Sequence, residues 1–126
     1  DFAAGAVERL VHEASDNDVL FVEGQGALAH PAYSGVTCSL LHGAMPDALV
    51  MTHSAGREAI HGYEEFELPP IPEYVDLYEN LAVPVHEGEV VAGALNTSDI
   101  EDDAEAQAAV DAYATGEFNC TTCARG

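Results

Sequence analysis

Apolar residues recur near the beginning of the chain with the spacing of a helix. The residues that share this spacing are Ala3, Ala4, Val7, Leu10, Val11 and Ala14. Polar Glu8, Arg9 and Glu13 fall on the opposite side, so the pattern predicts an amphipathic helix from Ala3 to Ala14. The same kind of spacing predicts three further helices, over residues 36–44, 72–82 and 98–114.

Three short runs are apolar almost without interruption and predict strands. They are Val19–Val22, residues 47–53 and Glu89–Asn96. Continuous apolar runs are typical of strands in a parallel sheet that helices cover on both faces, so we predict an α/β fold. Residues 54–70 contain two glycines and a Pro-Pro pair, and they are predicted to be irregular.

The number of predicted strands bears on domain organisation. We predict one α/β domain over residues 1–126, since no linker or repeat divides the chain. Sheets average about five or six strands, and here a helix precedes the first of only three. The pattern therefore predicts the C-terminal part of a larger domain. Because an incomplete sheet exposes an edge strand, we expect a homo-oligomer or a missing N-terminal domain that covers this edge.

Charge narrows the range of partners. Lys and Arg number 3 against 23 Asp and Glu, lysine is absent, and the formal net charge is −20. Phosphate binding relies on basic residues, so this balance excludes nucleic acid and favours a small-molecule substrate. Hydrophobic residues make up 48% of the chain, which is enough for a folded core. A lysine-free acidic surface suits a salt-rich cytoplasm, where screening weakens repulsion, so we predict a halophilic protein.

Two features bear on the cellular compartment. No run is apolar over the length that a bilayer requires and no signal peptide opens the chain, so we predict a cytoplasmic protein without a membrane partner. Cys38 falls in a predicted helix, and Cys120 and Cys123 form a C-x-x-C pair. Such a pair suits half of a zinc site or a redox pair, but a second ligand pair is missing and a disulfide framework is not expected in this compartment.

Polar residues follow each predicted strand. Glu23 follows the first, His53 ends the second with Arg57 shortly after it, and Asn96 ends the third. Ligands of open parallel sheets bind beyond the carboxyl ends of the strands. We therefore expect these side chains, together with Gln25, to line one crevice.

The segment Glu23-Gly24-Gln25-Gly26 is the first candidate site. A carboxylate at the tip of a strand can hold Mg²⁺ in a nucleotide site, directly or through water. Gly24 and Gly26 would let a phosphate or acyl chain approach the main chain, and Gln25 could orient a water or a polar group of the substrate. The alternative is that the glycines only form a tight turn and that Glu23 is solvated.

Four further residues are candidates. Ser34 can cap a helix whose free N–H groups attract anions, or it can be a structural cap alone. His30 and His53 are candidate general bases, with His30 also a candidate ligand. Arg57 is one of only three cations and is expected to bind a carboxylate or phosphate; the alternative is a salt bridge to a nearby acid.

Several stretches resemble a known family. They are "DFAAGAVERLV", "VEGQGALAHPAYSGVTCSLLHGAMPDALVMTH" and "VVAGALNT", together with Arg57. They are similar to the C-terminal domain of a bacterial and archaeal family long labelled a domain of unknown function, and E-G-Q-G-x-L-x-H-P is the most specific element. Members resemble P-loop NTPases of the dethiobiotin-synthetase type, and some are named D-glutamate N-acetyltransferases. The resemblance implies a P-loop-like three-layer α/β sandwich.

The resemblance also implies residue roles. Glu23 matches the acid that closes the second nucleotide-binding motif, and Asn96 matches a residue near the base. The loop after Glu23 is matched by Gly24, Gln25, Gly26, His30 and Pro31. The implied ligands are Mg²⁺ with ATP or acetyl-CoA, and D-glutamate. The chain departs from the family by lacking the lysine of its phosphate-binding loop and by ending in "GEFNCTTCARG".

Three functional hypotheses follow. In the first, the chain is the catalytic portion of a P-loop-like enzyme that transfers an acyl group to an acidic amino acid. Glu23 would then organise Mg²⁺ or polarise the amine, Arg57 would bind the substrate carboxylate, and His30 or His53 would accept the proton of the amine. In the second, it is a module that binds or hydrolyses ATP without acyl transfer. In the third, it is an inert truncated fragment.

Overall fold

The computed structural model describes residues 2–24, 26–116 and 123–125. The helices are α1 (Phe2–Glu13), α2 (Ser34–Ala44), α3 (Ile71–Ala82) and α4 (Asp103–Gly116). The strands are β1 (Ala48–Ser54), β2 (Ala59–Ile60), β3 (Tyr63–Glu67), β4 (Glu89–Asn96) and β5 (Cys123–Arg125). Helices α1, α2 and α3 begin within two residues of their predicted positions, which is the ordinary uncertainty of helix ends.

A parallel sheet has the strand order β1–β4–β5. Strands β1 and β4 are two of the runs that were predicted from continuous apolar sequence. Strand β5 lies in the C-terminal tail, where no strand was predicted, and it pairs Gly93 with Cys123 and Leu95 with Arg125. The predicted α/β fold with a parallel sheet is confirmed.

The chain divides into two compact units. The first comprises Asp1–Asp47 and Leu77–Gly88, and the second comprises Ala48–Asp76 and Glu89–Gly126. The first therefore contains α1 and α2, whereas the second contains all of the strands and α4. Helix α3 contributes residues to both.

In the first unit, α1 packs closely against α2. Gly43 near the end of α2 makes this possible, because a Cβ atom at that position would collide with the carbonyl oxygen of Ala4 and lie 2.8 Å from the Cβ of Val7. The backbones approach to a distance that only glycine permits. Leu10, which the helical pattern placed on the apolar side of α1, is instead 65% exposed.

Two histidines without a predicted role make structural contacts in this unit. His42 on α2 donates a hydrogen bond from Nε2 to the carbonyl oxygen of Leu81, at 2.8 Å. Nε2 of His86 lies 2.9 Å from Oδ1 of Asp47 at the surface. Both contacts join segments about forty positions apart in sequence, so these histidines contribute to the fold of the unit.

The core of the second unit lies between β4 and α4. Leu95 is only 3% exposed and packs with Val110 and Tyr113 of α4. Helix α4 begins at Asp103 and not at the predicted residue 98. The reason is a cap: Oδ1 of Asp102 accepts a hydrogen bond from the backbone N–H of Glu105 at 2.9 Å, which fixes the start of the helix.

The predicted strand Val19–Val22 is wrong. This run forms no regular secondary structure, and the side chain of Phe21 is 96% exposed. Its residues have the β-forming composition of a strand, but a strand also requires a hydrogen-bonding neighbour. Among the described residues, no segment pairs with it.

The prediction that residues 54–70 are irregular is also wrong in part. Strands β2 and β3 form an antiparallel hairpin within this segment, with Ala59 opposite Glu67 and Ile60 opposite Tyr63. His61 and Gly62 make the two-residue turn, and Gly62 has a φ of +79°. Turn positions with a positive φ favour glycine, because glycine adopts this conformation without a steric penalty.

None of the helices formed by the described residues has the length and apolar character that crossing a bilayer would require.

The acidic composition leads to a prediction about stability in salt. Raising KCl from 0.1 M to 2 M should raise the unfolding temperature by about 10 °C, because screening removes roughly 2 kcal/mol of repulsion in a chain of this charge. The measurement is thermal unfolding followed by circular dichroism, with equal concentrations of an uncharged osmolyte as the control. A melting temperature that stays flat or falls with KCl would contradict the halophilic interpretation.

Candidate functional site

The carboxyl ends of β1 and β4 lie side by side in the second unit. The register places His53 opposite Leu95 and Ser54 opposite Asn96. Beyond this register, the N–H of Ala55 donates to the carbonyl oxygen of Asn96 at 2.9 Å. The polar clusters that end these two strands therefore share one edge of the sheet, where open α/β sheets bind their ligands.

A cleft of about 610 Å³ opens at this edge. His53 at the end of β1 and Arg57 in the following turn contribute to its lining. Three glutamates of the hairpin segment, Glu58, Glu64 and Glu67, also line the cleft, and Ile71 at the start of α3 adds an apolar residue. This volume falls within the range of small-molecule sites, about 300–1,000 Å³, and the lining carries groups of both charges.

The ring of His53 is held from one side by an aromatic neighbour. It stacks on Tyr113 of α4 with 6.0 Å between ring centroids and 11° between the ring planes. His53 is half-buried and lines the cleft. A stacked ring has a defined orientation, which a proton acceptor needs in order to meet its substrate.

Arg57 provides the cation of the cleft. Among the described residues, the ion pairs join Arg9 to Glu13 and His86 to Asp47, so Arg57 takes part in neither. Among the described residues, no ion pair supports the alternative that Arg57 forms a structural salt bridge. An exposed guanidinium without an internal carboxylate partner has its planar donors available for a ligand carboxylate or phosphate.

The side chain of Glu64 forms a hydrogen bond within the hairpin turn. Its Oε1 accepts a hydrogen bond from the N–H of Gly62 at 3.0 Å. Backbone N–H groups of Glu64 itself and of Gly62 lower the pKa of this carboxyl below its usual value, because a hydrogen bond to the charged form favours ionisation. Glu64 thus stabilises the turn that carries one wall of the cleft.

Asn96 uses its side chain within its own turn. Oδ1 accepts a hydrogen bond from the N–H of Ser98 at 2.9 Å, while the residue as a whole is exposed. This local bond fixes the orientation of the side-chain amide, including that of its NH₂ group. The predicted position of Asn96 at the strand end is observed, whereas its role near a base stays a prediction.

Glu23 lies in the first unit, directly after the run Val19–Val22 that was predicted to be a strand. It is exposed, and its placement at the tip of a sheet strand is wrong because that strand is absent. Gln25 lies outside the described residues. Since Glu23 belongs to a different compact unit from His53, Arg57 and Asn96, a single crevice shared by all of them stays a prediction.

The two glycines after Glu23 differ in their surroundings. A Cβ on Gly26 would lie 2.7 Å from the Cβ of Tyr33, so packing alone requires glycine there. A Cβ on Gly24 would meet only the carbonyl oxygen of Gly26, at 4.0 Å, and Gly24 has no positive φ. Close packing therefore accounts for Gly26, whereas neither packing nor a positive φ requires glycine at position 24.

His30 and Ser34 belong to the turn that leads into α2. Nδ1 of His30 accepts a hydrogen bond from the N–H of Ala32 at 3.1 Å, and its ring lies 4.5 Å from that of Tyr33. The proton of a neutral His30 therefore resides on Nε2. Ser34 is the first residue of α2 and Tyr33 is its N-cap, without a side-chain cap bond, so the prediction that Ser34 caps this helix is wrong.

Metal-ligating residues do not converge in the described part of the chain. Among the described residues, no three side chains of His, Cys, Asp or Glu form a group that could hold a metal ion. Glu23 can supply one carboxylate, which is compatible with Mg²⁺ because this ion keeps several waters and takes one or two protein carboxylates. Cys120 lies outside the described residues, so the C-x-x-C hypothesis stays a prediction.

The parallel sheet and its helices define an α/β protein, and the family model that the chain matches describes this fold as a P-loop domain. The chain belongs to the DUF1611 family: residues 1–125 match its domain described as "Domain of unknown function (DUF1611_C) P-loop domain". The resemblance found in the sequence is thus confirmed.

Two curated relatives carry the name D-glutamate N-acetyltransferase. The protein from Tritonibacter scottomollicae is 40% identical over 82 residues, which cover 65% of this chain and 25% of that protein. The protein from a Pseudoalteromonas species is 38% identical over 101 residues, or 79% of this chain and 30% of that protein. The chain therefore spans between a quarter and a third of the curated relatives it matches.

A solved structure has the same fold. The crystal structure of a DUF1611 family protein from Anabaena variabilis superposes with a TM-score of 0.91 at 37% sequence identity. The match covers 98% of this chain and 36% of that chain.

Proposed function

We propose that this chain forms the acceptor-binding portion of a P-loop-type N-acyltransferase that acts on an acidic amino acid, with D-glutamate as the acceptor. The curated relatives with this name and the P-loop family both support the proposal. The observation that carries it is Arg57, an arginine without an internal ion pair among the described residues, which lines one cleft together with His53. Arg57 supplies a site for a carboxylate, and His53 supplies a site for a proton.

The chemistry of acyl transfer explains why both groups are needed. The acceptor amino acid carries an ammonium group, which must first lose one proton to solvent, because the nitrogen attacks the thioester carbonyl of acetyl-CoA only as a neutral amine. A C–N bond then forms, the C–S bond breaks, and the sulfur leaves as thiolate. His53 accepts the proton that the amine gives up and can return it to the thiolate, so that the products are the N-acetyl amino acid and CoA thiol. Arg57 holds the substrate carboxylate and fixes the amine relative to His53.

Glu23 and the glycine after it have a separate part in the proposal. Bound Mg²⁺ would neutralise phosphate charge, and Glu23 would hold it through one carboxylate oxygen or through water. Gly24 would let the phosphate-bearing ligand approach the main chain, since neither packing nor backbone conformation requires glycine there.

A second candidate function is ATP binding or hydrolysis without acyl transfer. The observation that favours it is the match to a domain described as a P-loop domain, because P-loop proteins commonly bind nucleotides. Both functions use the phosphate-binding part of the proposal, whereas only acyl transfer requires the pairing of Arg57 with His53.

The test uses a chimaera in which residues 1–125 replace the matching segment of the Pseudoalteromonas relative. We expect this chimaera to consume acetyl-CoA when D-glutamate is present, as measured by release of the CoA thiol. Arg57→Gln should lower kcat/KM by about 100-fold through weaker binding of the carboxylate. Arg9→Gln, which removes an exposed arginine of α1, is the matched control and should change little.

The same assay separates the candidates. ATP hydrolysis without thiol release would support the nucleotide module and contradict acyl transfer. Because the 126-residue chain contains no lysine to bind phosphate, we expect the chain by itself to turn over neither ATP nor acetyl-CoA.

A further inference from the structure

The loop that follows the Val19–Val22 run changes from exposed to half-buried along its length. We call residues 23–31 the glycine loop. Glu23 is exposed, whereas residues 27–30 are half-buried. The second half contains a local turn, in which the N–H of His30 donates to the carbonyl oxygen of Ala27 at 3.0 Å. A bond between close neighbours shapes a turn, but it does not fix where the turn lies on the rest of the protein.

A side chain of helix α3 fixes this half of the loop. The hydroxyl of Tyr78 accepts a hydrogen bond from the backbone N–H of Leu28 at 3.2 Å, across 50 positions of sequence. Both residues belong to the first compact unit and both are half-buried. A backbone N–H that is shielded from water needs a partner, and here a helix supplies it. The phenol hydroxyl thus attaches the glycine loop to α3.

The anchored position is close in sequence to the residues that were assigned to a ligand. Leu28 follows Gly24 by four residues, and a chain of four residues spans at most about 14 Å. Neither packing nor a positive φ requires glycine at position 24, so the close approach of a ligand is the remaining reason for it. A loop that is already held at Leu28 has fewer conformations to lose when the ligand binds.

We propose that Tyr78 is a positioning residue for the phosphate-bearing ligand: its hydroxyl holds the glycine loop at Leu28, and the loop presents Glu23 and Gly24 to that ligand. This rests on the proposed function, which assigns Glu23 and Gly24 to the phosphate-bearing ligand. Tyr78 acts through the loop and not by contact with the ligand. Loss of its hydroxyl therefore weakens binding of this ligand, but not of the amino acid acceptor, which the proposed function assigns to the cleft of the second unit.

The experiment measures the binding of two probes to the chimaera by isothermal titration calorimetry. The probes are acetyl-CoA with Mg²⁺ and, separately, D-glutamate. Tyr78→Phe keeps the ring and removes the hydroxyl, so we expect the Kd of acetyl-CoA to rise about 3- to 10-fold, the effect of one hydrogen bond. The Kd of D-glutamate should change by less than about 2-fold, because distant sites act independently. Hydrogen–deuterium exchange of the peptide that contains Leu28 should become faster in the same variant.

Tyr74→Phe is the matched control, because it removes a hydroxyl from the same helix one turn earlier, at a residue of the second unit. It should leave both acetyl-CoA binding and exchange at Leu28 unchanged. Equal weakening of the two probes by Tyr78→Phe would indicate a structural role alone and would overturn the inference. Unchanged affinity for acetyl-CoA, unchanged exchange, or no binding of acetyl-CoA by the unaltered chimaera would overturn it as well.

The same measurements separate this inference from the proposed function, because neither binding nor exchange depends on catalysis. Selective weakening of acetyl-CoA in a chimaera that releases no CoA thiol would uphold the role of Tyr78 and contradict only the proposed acyl transfer. If D-glutamate does not bind, the proposed acceptor fails, and the effect of Tyr78→Phe on acetyl-CoA relative to Tyr74→Phe still decides the inference.

Discussion

Replacing Glu23 by alanine should abolish acetyl transfer by the chimaera and leave the fold of the chain unchanged. Glu23 is exposed, and the irregular segment that carries it adds no strand to the sheet, so removal of its carboxylate should alter the free energy of unfolding by less than about 0.5 kcal/mol. If Glu23 organises Mg²⁺ or polarises the amine, loss of the carboxylate should lower kcat by about 100-fold or more. The measurements are CoA thiol release and urea unfolding.

The control for this variant is Glu8→Ala, which removes an exposed carboxylate from α1 in the same compact unit. It should leave both kcat and stability as they are. A Glu23→Ala chimaera with full activity would exclude Glu23 from the chemistry. The solvated-side-chain interpretation of the E-G-Q-G segment would then be correct.

Of the substitutions that add one methyl group to the first unit, Gly43→Ala should lower the free energy of unfolding the most. The new Cβ would collide with the carbonyl oxygen of Ala4 and press on Val7, and a backbone atom cannot rotate away as a side chain can. Overpacking of this kind costs about 1–3 kcal/mol, and the rigid neighbour places this site at the upper end. Urea unfolding should show a lower midpoint with an unchanged m-value.

Gly5→Ala is the matched substitution for this test. Gly5 lies inside α1 and a Cβ there would meet nothing within 4 Å. Since alanine has the better helix propensity, this variant should gain up to about 1 kcal/mol. Similar effects of the two substitutions would mean that the close approach of α1 and α2 does not control stability.

The parts of the fold that could be predicted are those whose signal is local. The 3.6-residue pattern places α1, α2 and α3 to within two residues, and β1 and β4 follow from uninterrupted apolar runs. Val19–Val22 has the same local signal as β1 and β4 but forms no strand, because pairing depends on a neighbour that composition cannot reveal. β5 was missed for the converse reason, since its short sequence is a strand only through its pairing with β4.

The candidate site shows the same division between local and non-local information. His53, Arg57 and Asn96 could be placed at strand ends because β1 and β4 could be recognised. The glutamates that line the cleft were missed, since three of the five residues of Tyr63–Glu67 are glutamates and all five are exposed, so the run lacks the apolar signal of a buried strand. A signal was present, because His61-Gly62 between two β-forming residues is a two-residue hairpin turn. With this turn assigned, Glu58 and Glu67 would have joined the candidate residues.

The pairing of β1 with β4 has a consequence for the time course of folding. Its partners, such as Ala48 and Glu89 or Ser54 and Asn96, are about forty residues apart along the chain. Closing such a loop costs entropy before any contact compensates for it, which makes parallel, non-local pairing a slow step. The helices can form in microseconds, whereas the edge that carries His53 and Asn96 exists only after this step. A destabilised variant would therefore lose its ligand edge together with global folding, and refolding monitored by ligand binding should report the slowest phase.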